Sequence, residues 1–433
     1  MKKILLTILL IISVILPVAA GDFGITIDAS PTIEYDTGST FDISALTYTA
    51  KAALWGNTAI GENLIAEFQG GYTIEDDRIF LLELDQLQLG GSFVMAGGSG
   101  GFMAFKAGRL SFSEFSGKVF AHTGDGLSIE WGLPLMTISA FGTYTGLLQA
   151  PSSTIIMNNT DLDASNNSTD TDSERVFWGP LASPRVIEGV TITFPEIIAQ
   201  QTIIISGVFQ QDLRQDEDLV SGDYTLDTIY AGFGLVGPIP IIQSLFYSLY
   251  SYGSTGWYDT NVILAGIAGG SINYFIPTFL ASRIVIEGLI SSGDSDQSDF
   301  YEGNTSGFST AFVPITTAPA GVIFTAQQTN LFYFSGTYSM KPFANSKNLM
   351  LNNILIALKG TGFFRTTTGA ISTGGVSSSS SSRYLGTEIN LNIISRLLSD
   401  VGLSMSGGIF LPSAAMDSTT PVLQASMSLS LSI

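Results

Sequence analysis

Few residues in this 433-residue chain could make or break bonds. There is no cysteine, which removes thiol catalysis and disulfides, and His122 is the only histidine, which removes zinc sites built on two histidines. Gly97-Gly98-Ser99-Gly100-Gly101 formally matches a nucleophile elbow. That motif needs a strand-to-helix turn, and this stretch reads as a flexible glycine-serine hairpin loop. No phosphate loop, cofactor motif or basic nucleic-acid patch is present, and no metal site is expected. What remains is a small set of charged groups in apolar surroundings: Lys106, Arg109, Lys118, His122, Asp125, Arg283, Glu287 and Glu388. Their chemistry is electrostatic. Opposed acids and bases around a narrow aqueous path create a transverse field that orders polar solutes and sorts ions.

Such residues need elements that hold them inward. Val422 to Ile433 reads V-L-Q-A-S-M-S-L-S-L-S-I, with Leu423, Ala425, Met427, Leu429, Leu431 and Ile433 on one parity and Gln424, Ser426, Ser428, Ser430 and Ser432 on the other. Strand side chains alternate between faces, so this is a ribbon with one apolar and one polar side. The same alternation turns Arg283, Val285 and Glu287 away from Ile284, Ile286 and Ile290. It sets Lys106 opposite Met103, Phe105 and Ala107, and puts Glu388, Asn390 and Asn392 on one face. A charge on the lipid face of a membrane strand costs about 2–4 kcal/mol at mid-bilayer, so these charges are expected in the lumen. Pairing within a structural network across the wall is the plainer role for an inward Arg and Glu. The connector 111–125 holds Phe112, Phe115, Lys118, Phe120, His122 and Asp125 beside Arg109. Its three phenylalanines predict a loop folded into the barrel as a constriction.

The pattern implies an all-β fold: a transmembrane antiparallel up-and-down β-barrel of about eighteen strands. Sixteen is the alternative if the two weakest segments, near 126–132 and 188–194, are not strands. Met1 to Ala20 reads as a signal peptide, with Lys2 and Lys3, an apolar stretch and Val18-Ala19-Ala20. Residues 21–433 then form one barrel domain. Without Lys2 and Lys3 the mature chain keeps 15 basic against 37 acidic residues, a net charge of −22. Only 12% of residues are charged, and 15 Tyr, 28 Phe and 47 Gly suit aromatic girdles and tight turns. Two uncharged stretches, 228–258 and 262–282, are long enough to span a bilayer as helices. Gly237-Pro238, Pro240, Gly269-Gly270 and Pro277 break them, and 228–258 reads instead as two strands around a Val236–Ile239 turn.

The long connectors, 150–187, 213–223, 292–327 and 367–382, all follow odd-numbered strands, as they must if the chain starts in the periplasm. They carry Asp161, Asp163, Asp170, Asp172 and Glu174, then Asp212, Asp216, Glu217, Asp218 and Asp223, then Asp294, Asp296, Asp299 and Glu302. Simple solvation accounts for such acids. The functional readings are divalent cations bridging loops to the lipid surface, or a mouth that repels anions. Ser377 to Ser382 reads as a mobile loop tip. Asn158-Asn159-Thr160 and Asn304-Thr305-Ser306 match the glycosylation pattern by chance.

Three local patterns resemble the alginate-export and related porin-like family of outer-membrane barrels. The first is Leu385-Gly386-Thr387-Glu388 with Gly408-Ile409-Phe410-Leu411-Pro412. The second is Glu287-Gly288-Leu289-Ile290 leading into Ser292-Gly293-Asp294, with Phe312-Val313-Pro314 later. The third is Ala107-Gly108-Arg109 followed by Gly124-Asp125-Gly126. The resemblance covers about a third of the chain and implies a monomeric barrel that passes solutes across a bacterial outer membrane. The partners expected are outer-membrane lipid, the barrel-assembly machinery and small solutes. Two departures stand out. Exporters of anionic polysaccharide in that family line the pore with many Arg and Lys, and this chain has few. Its last residue is Ile433 where such barrels end in an aromatic. The expectation is a non-enzymatic channel for passive diffusion of small polar solutes or ions. The alternatives are a non-conducting surface barrel acting as adhesin or antigen, and a substrate-specific exporter. A transporter for apolar compounds would need an N-terminal plug, and the expected first strand leaves no room for one after Gly21.

Overall fold

The computed structural model describes residues 21–36, 42–75, 81–95, 101–167, 181–221, 223–258, 261–295, 308–372, 375–377 and 380–433. The expected signal peptide lies outside them. So do Ser99, Asp170, Asp172, Glu174, Asp296, Asp299, Glu302, the Asn304 pattern and Ser378 and Ser379.

Eighteen antiparallel strands form a closed wall. They are β1 (Gly21–Asp36), β2 (Asp42–Ile60), β3 (Leu64–Glu75), β4 (Leu81–Val94), β5 (Phe102–Ser113), β6 (Ala121–Gly132), β7 (Thr137–Tyr144), β8 (Arg185–Ile198) and β9 (Gln201–Asp212). After β10 (Leu226–Pro238), β11 (Leu245–Tyr258), β12 (Asn261–Ile276) and β13 (Ser282–Ser291) comes a two-residue strand, β14 (Phe308–Ser309). The wall resumes with β15 (Leu331–Met340), β16 (Leu355–Arg365), β17 (Tyr384–Arg396), β18 (Val401–Pro412) and β19 (Val422–Ser432). Each wall strand pairs with its neighbours, β13 with β15, and β19 closes on β1. The small β14 lies parallel to β12 at Val262 and Ile263, beyond the end of β13.

Pairing sets the faces. Ile27 lies opposite Leu431 and Ala29 opposite Leu429, while Asp28 meets Ser430 and Thr32 meets Ser426. Ile27, Met427 and Leu429 are exposed on the outer surface, as a lipid-facing belt requires. Ser406 and Ser426 bond to each other on the inner face. The expected count of eighteen is the observed one. The two weakest segments are full strands, β6 and β8.

Three boundaries differ from expectation. Pro238 stays in β10 as its last residue, opposite Phe246, and the turn is 239–244, with Ser244 at a φ of 62°. A proline at a strand end forfeits no needed ladder bond. β7 stops at Tyr144 because Leu148 N–H turns back to the Thr145 carbonyl. The connector after β5 is only 114–120, so Phe112, His122 and Asp125 belong to strands. The short connections, including 61–63, 133–136, 199–200 and 397–400, collect at one end. The long ones, 145–184, 213–225, 292–330 and 366–383, collect at the other.

Candidate functional site: a lumen narrowed by infolded loops

The long-loop half of the barrel is filled from within. Glu114 organises the first infolded loop, 114–120. Its carboxylate accepts hydrogen bonds from the backbone N–H of Ser116 (2.6 Å), Lys118 (2.7 Å) and Val119 (3.0 Å), and from the Tyr252 hydroxyl across the lumen. Those bonds curl the loop inward. Val119 and Phe120 are fully buried, Phe120 stacks on Phe141, and Phe115 stacks on Tyr252 at 5.4 Å. Lys118 reaches to 3.9 Å from Glu287, which also accepts a bond from the Tyr333 hydroxyl at 2.8 Å. Loop 114–120 therefore folds inside the barrel, where Lys118 and Glu287 face each other.

A second infolded loop, 308–330, went unrecognised in the sequence. Phe312 is buried edge-on to Tyr230, whose hydroxyl donates to the Val313 carbonyl at 2.7 Å. Phe324 packs on Phe363 and Phe410 at 4.7 and 5.0 Å. Glu388 is inward, as alternation requires, but it does not face open water. It is 0% exposed and accepts the backbone N–H groups of Val322 (2.8 Å), Ile323 (3.1 Å) and Phe324 (2.8 Å), plus the Asn390 amide at 2.6 Å. Three successive N–H groups on one carboxylate form an anion nest, here filled by the wall's own side chain. The two loops touch, because Ile315 and Thr316 both donate to the Val119 carbonyl.

The third contribution is a buried charge square. Arg185 on β8 pairs with Asp161 (2.7 Å) and Asp212 (3.0 Å), and Arg214 pairs with Asp161 (3.1 Å) and Asp212 (2.5 Å). Asp161 belongs to the loop helix Asn159–Asn167, so the square ties loop 145–184 to the end of β9. Burial alone would raise the Asp161 pKa, but the two guanidinium groups outweigh it and hold the carboxyl below its ordinary range. Burial likewise works to lower the Arg214 pKa, and the bond to Asp212 with the charges of Asp161 and Asp212 raises it instead. Asp223 accepts from Thr160 N–H and the Tyr258 hydroxyl, and Asp294 from Thr310 N–H. Four of the acids expected to be solvated are thus structural, while Glu217 and Asp218 are exposed. At the end of the serine run, Arg365 donates to the carbonyls of Ser380 and Ser382.

The remaining candidates separate. His122 points inward, buried, with Nδ1 3.0 Å from the Thr154 hydroxyl. Lys106 points into open lumen. Arg283 is inward too, but it lies near the short-turn end, bonded to Asn273 and over the Phe275 ring at 5.1 Å, away from the constriction. Arg109 and Asp125 are corrections. They pair at 2.7 Å, yet the register aligns Arg109 with exposed Leu87 and gives Asp125 the parity of exposed Leu127. Both therefore sit on the outer face. There the ion pair and the Leu84 and Leu147 carbonyls satisfy the guanidinium. The missed residues carried a weak signal. Glu114 precedes a Ser-Gly-Lys turn, and Arg185 shares parity with buried Ile187 rather than with exposed Val190.

What stays open runs along the inner face of β1 to β6. Among the described residues it carries Asp22, Asp28, Glu34, Glu67, Glu75, Glu83, Asp85 and Glu130 against Lys51 and Lys106. Among the described residues no group of three or more His, Asp or Glu is placed to hold a metal ion.

A closed eighteen-stranded transmembrane barrel with infolded loops defines the class. No protein-family model and no curated protein matches the sequence. Solved structures from Pseudomonas aeruginosa share the fold. OpdL matches with a TM-score of 0.58 and 12% identity, over 95% of this chain and 99% of that one. The outer membrane protein opdK matches with 0.55 and 8%, over 95% and 99%. OccK2 (OpdF) in complex with glucuronate matches with 0.57 and 10%, over 96% and 97%.

Proposed function

We propose that this chain is a bacterial outer-membrane channel through which small polar solutes and ions diffuse passively, with cations favoured. The observation that carries the reading is the division of the lumen. One sector is sealed by loops 114–120 and 308–330, while among the described residues the inner face of β1 to β6 keeps eight acids and two bases in a polar groove. A barrel filled all round would be a structural or adhesive element, and an unobstructed one a general pore. A lumen narrowed on one side fits a channel of restricted width. The likeness to the outer membrane protein opdK and to OccK2 with bound glucuronate supports the location and the class. Long loops spent inside the barrel leave less surface for an adhesin. The acidic groove suits an exporter of anionic polymer poorly, so the resemblance to alginate-export barrels is kept for architecture alone. His122 is bonded to Thr154 and takes no catalytic role in this reading.

Purified, folded protein added to a planar lipid bilayer should give discrete current steps, smaller than those of an unobstructed eighteen-strand pore. Correctly inserted protein that carries no current would leave the adhesin reading in its place.

A further inference from the structure

The groove contains a cavity of about 400 Å³ lined by Glu67, Gln69, Asp85, Gln86, Gln88 and Lys106. That volume suits a small solute. Most of its charge is internally matched. Lys51 bridges Asp85 at 2.6 Å and Glu83 at 3.3 Å, and Gln69 donates to Asp85. Two groups are left over. Lys106 makes no ion pair among the described residues, and Glu67 receives only amide donors, from Gln86 at 2.9 Å and from Gln88.

Both are held ready for a ligand. The two glutamines fix the Glu67 carboxylate, and each still has a carbonyl oxygen as acceptor. Lys106 lies between two small residues, Gly90 on β4 and Ser128 on β6. Two residues along, Gly108 faces Gln88 at a φ of +119°. A Cβ there would come within 2.1 Å of the Leu87 carbonyl oxygen, so only glycine fits. The cavity lining thus presents an unmatched cation on β5 and, two strands away on β3, an unmatched anion flanked by acceptors.

We propose that this cavity is a subsite for small zwitterions of the α-amino acid type, the carboxylate on Lys106 and the ammonium on Glu67 and the Gln86 and Gln88 carbonyls. The inference rests on the channel reading and names a solute class for it. A free anion or a free cation would satisfy one of the two groups and leave the other unmatched.

The test is efflux from proteoliposomes of three tracers of similar size: alanine, methanesulfonate and tetramethylammonium, with potassium conductance recorded in parallel. Wild-type protein should release alanine about threefold faster than either ion, the scale of one solvated ion pair. Lys106→Gln should erase the advantage over tetramethylammonium, and Glu67→Gln the advantage over methanesulfonate. Both variants should still insert and carry potassium current, since neither residue holds an infolded loop, with the potassium preference rising in Lys106→Gln and falling in Glu67→Gln. Conducting protein that releases alanine no faster than both ions, or variants that keep the wild-type ranking, would overturn the zwitterion site and leave the channel standing. Loss of potassium conductance in the wild type would overturn the channel reading, and this site with it.

Discussion

Glu388→Gln should free loop 308–330 from the wall. The carboxylate accepts four hydrogen bonds, three from consecutive backbone N–H groups and one from Asn390. A carboxamide has one acceptor oxygen, and its own N–H₂ group would face the donors it replaces. At least two charge-assisted bonds are lost. Each contributes about 1.5–3 kcal/mol net, so docking weakens by about 3–6 kcal/mol. At 1.4 kcal/mol per tenfold, the docked-to-undocked ratio falls by about 10²–10⁴. The chain has no cysteine, so Ala326→Cys gives a single reporter at a fully buried loop position. Thiol labelling of that reporter should accelerate at least about a hundredfold when Glu388→Gln is added. Single-channel records should gain larger conductance substates. Equal labelling rates with an unchanged conductance histogram would refute the claim that Glu388 pins the loop.

Three further outcomes are expected. Met427→Arg puts a charge on the lipid face at the middle of β19, at a cost of about 2–4 kcal/mol, and should abolish the folded, heat-modifiable band on gels; Ser428→Arg faces the lumen and should leave it. Asp161→Asn should lower thermal stability at pH 7 by about 3–5 kcal/mol, because it leaves a buried guanidinium short of a partner. A depressed carboxyl pKa gives stabilisation that is complete above the ordinary value and lost as pH falls through the lower folded one. Wild-type melting should therefore stay level from pH 7 to about 4 in this respect and fall only below that. Epitope tags at Asp218 and Ser295, on the long-loop side, should label on intact cells, whereas one at Ala344, in the short-turn set, should not.

The wall was legible because alternation is a local property of a strand. Ile284, Ile286 and Ile290 facing lipid place Glu287 in the lumen with no knowledge of its neighbours. Connection lengths then told one end from the other. Arg109 shares the parity of Ala107, so alternation alone would have turned it outward; it was placed at the constriction only because it flanks the connector. Its partner Asp125 lies 16 residues away on the next strand, and the pair offsets the exposure of both. The lumen contents were harder to read. The phenylalanines of 112–120 marked the first infolded loop, but Phe312 and Phe324 are spaced too widely to show periodicity. Glu388 meets its loop across more than sixty residues. Asp161 and Asp212 looked like solvated loop acids, since their match to Arg185 and Arg214 exists only after the barrel closes.

The most direct test of the central claim is the reversal potential of single channels across a potassium chloride gradient. Eight acids against two bases among the described residues of the open groove predict a modest preference for potassium over chloride in dilute salt. That preference should fade as the Debye length shrinks from about 10 Å at 0.1 M to about 3 Å at 1 M. A clear chloride preference at 0.1 M, or folded and inserted protein that carries no current at any salt concentration, would contradict the account.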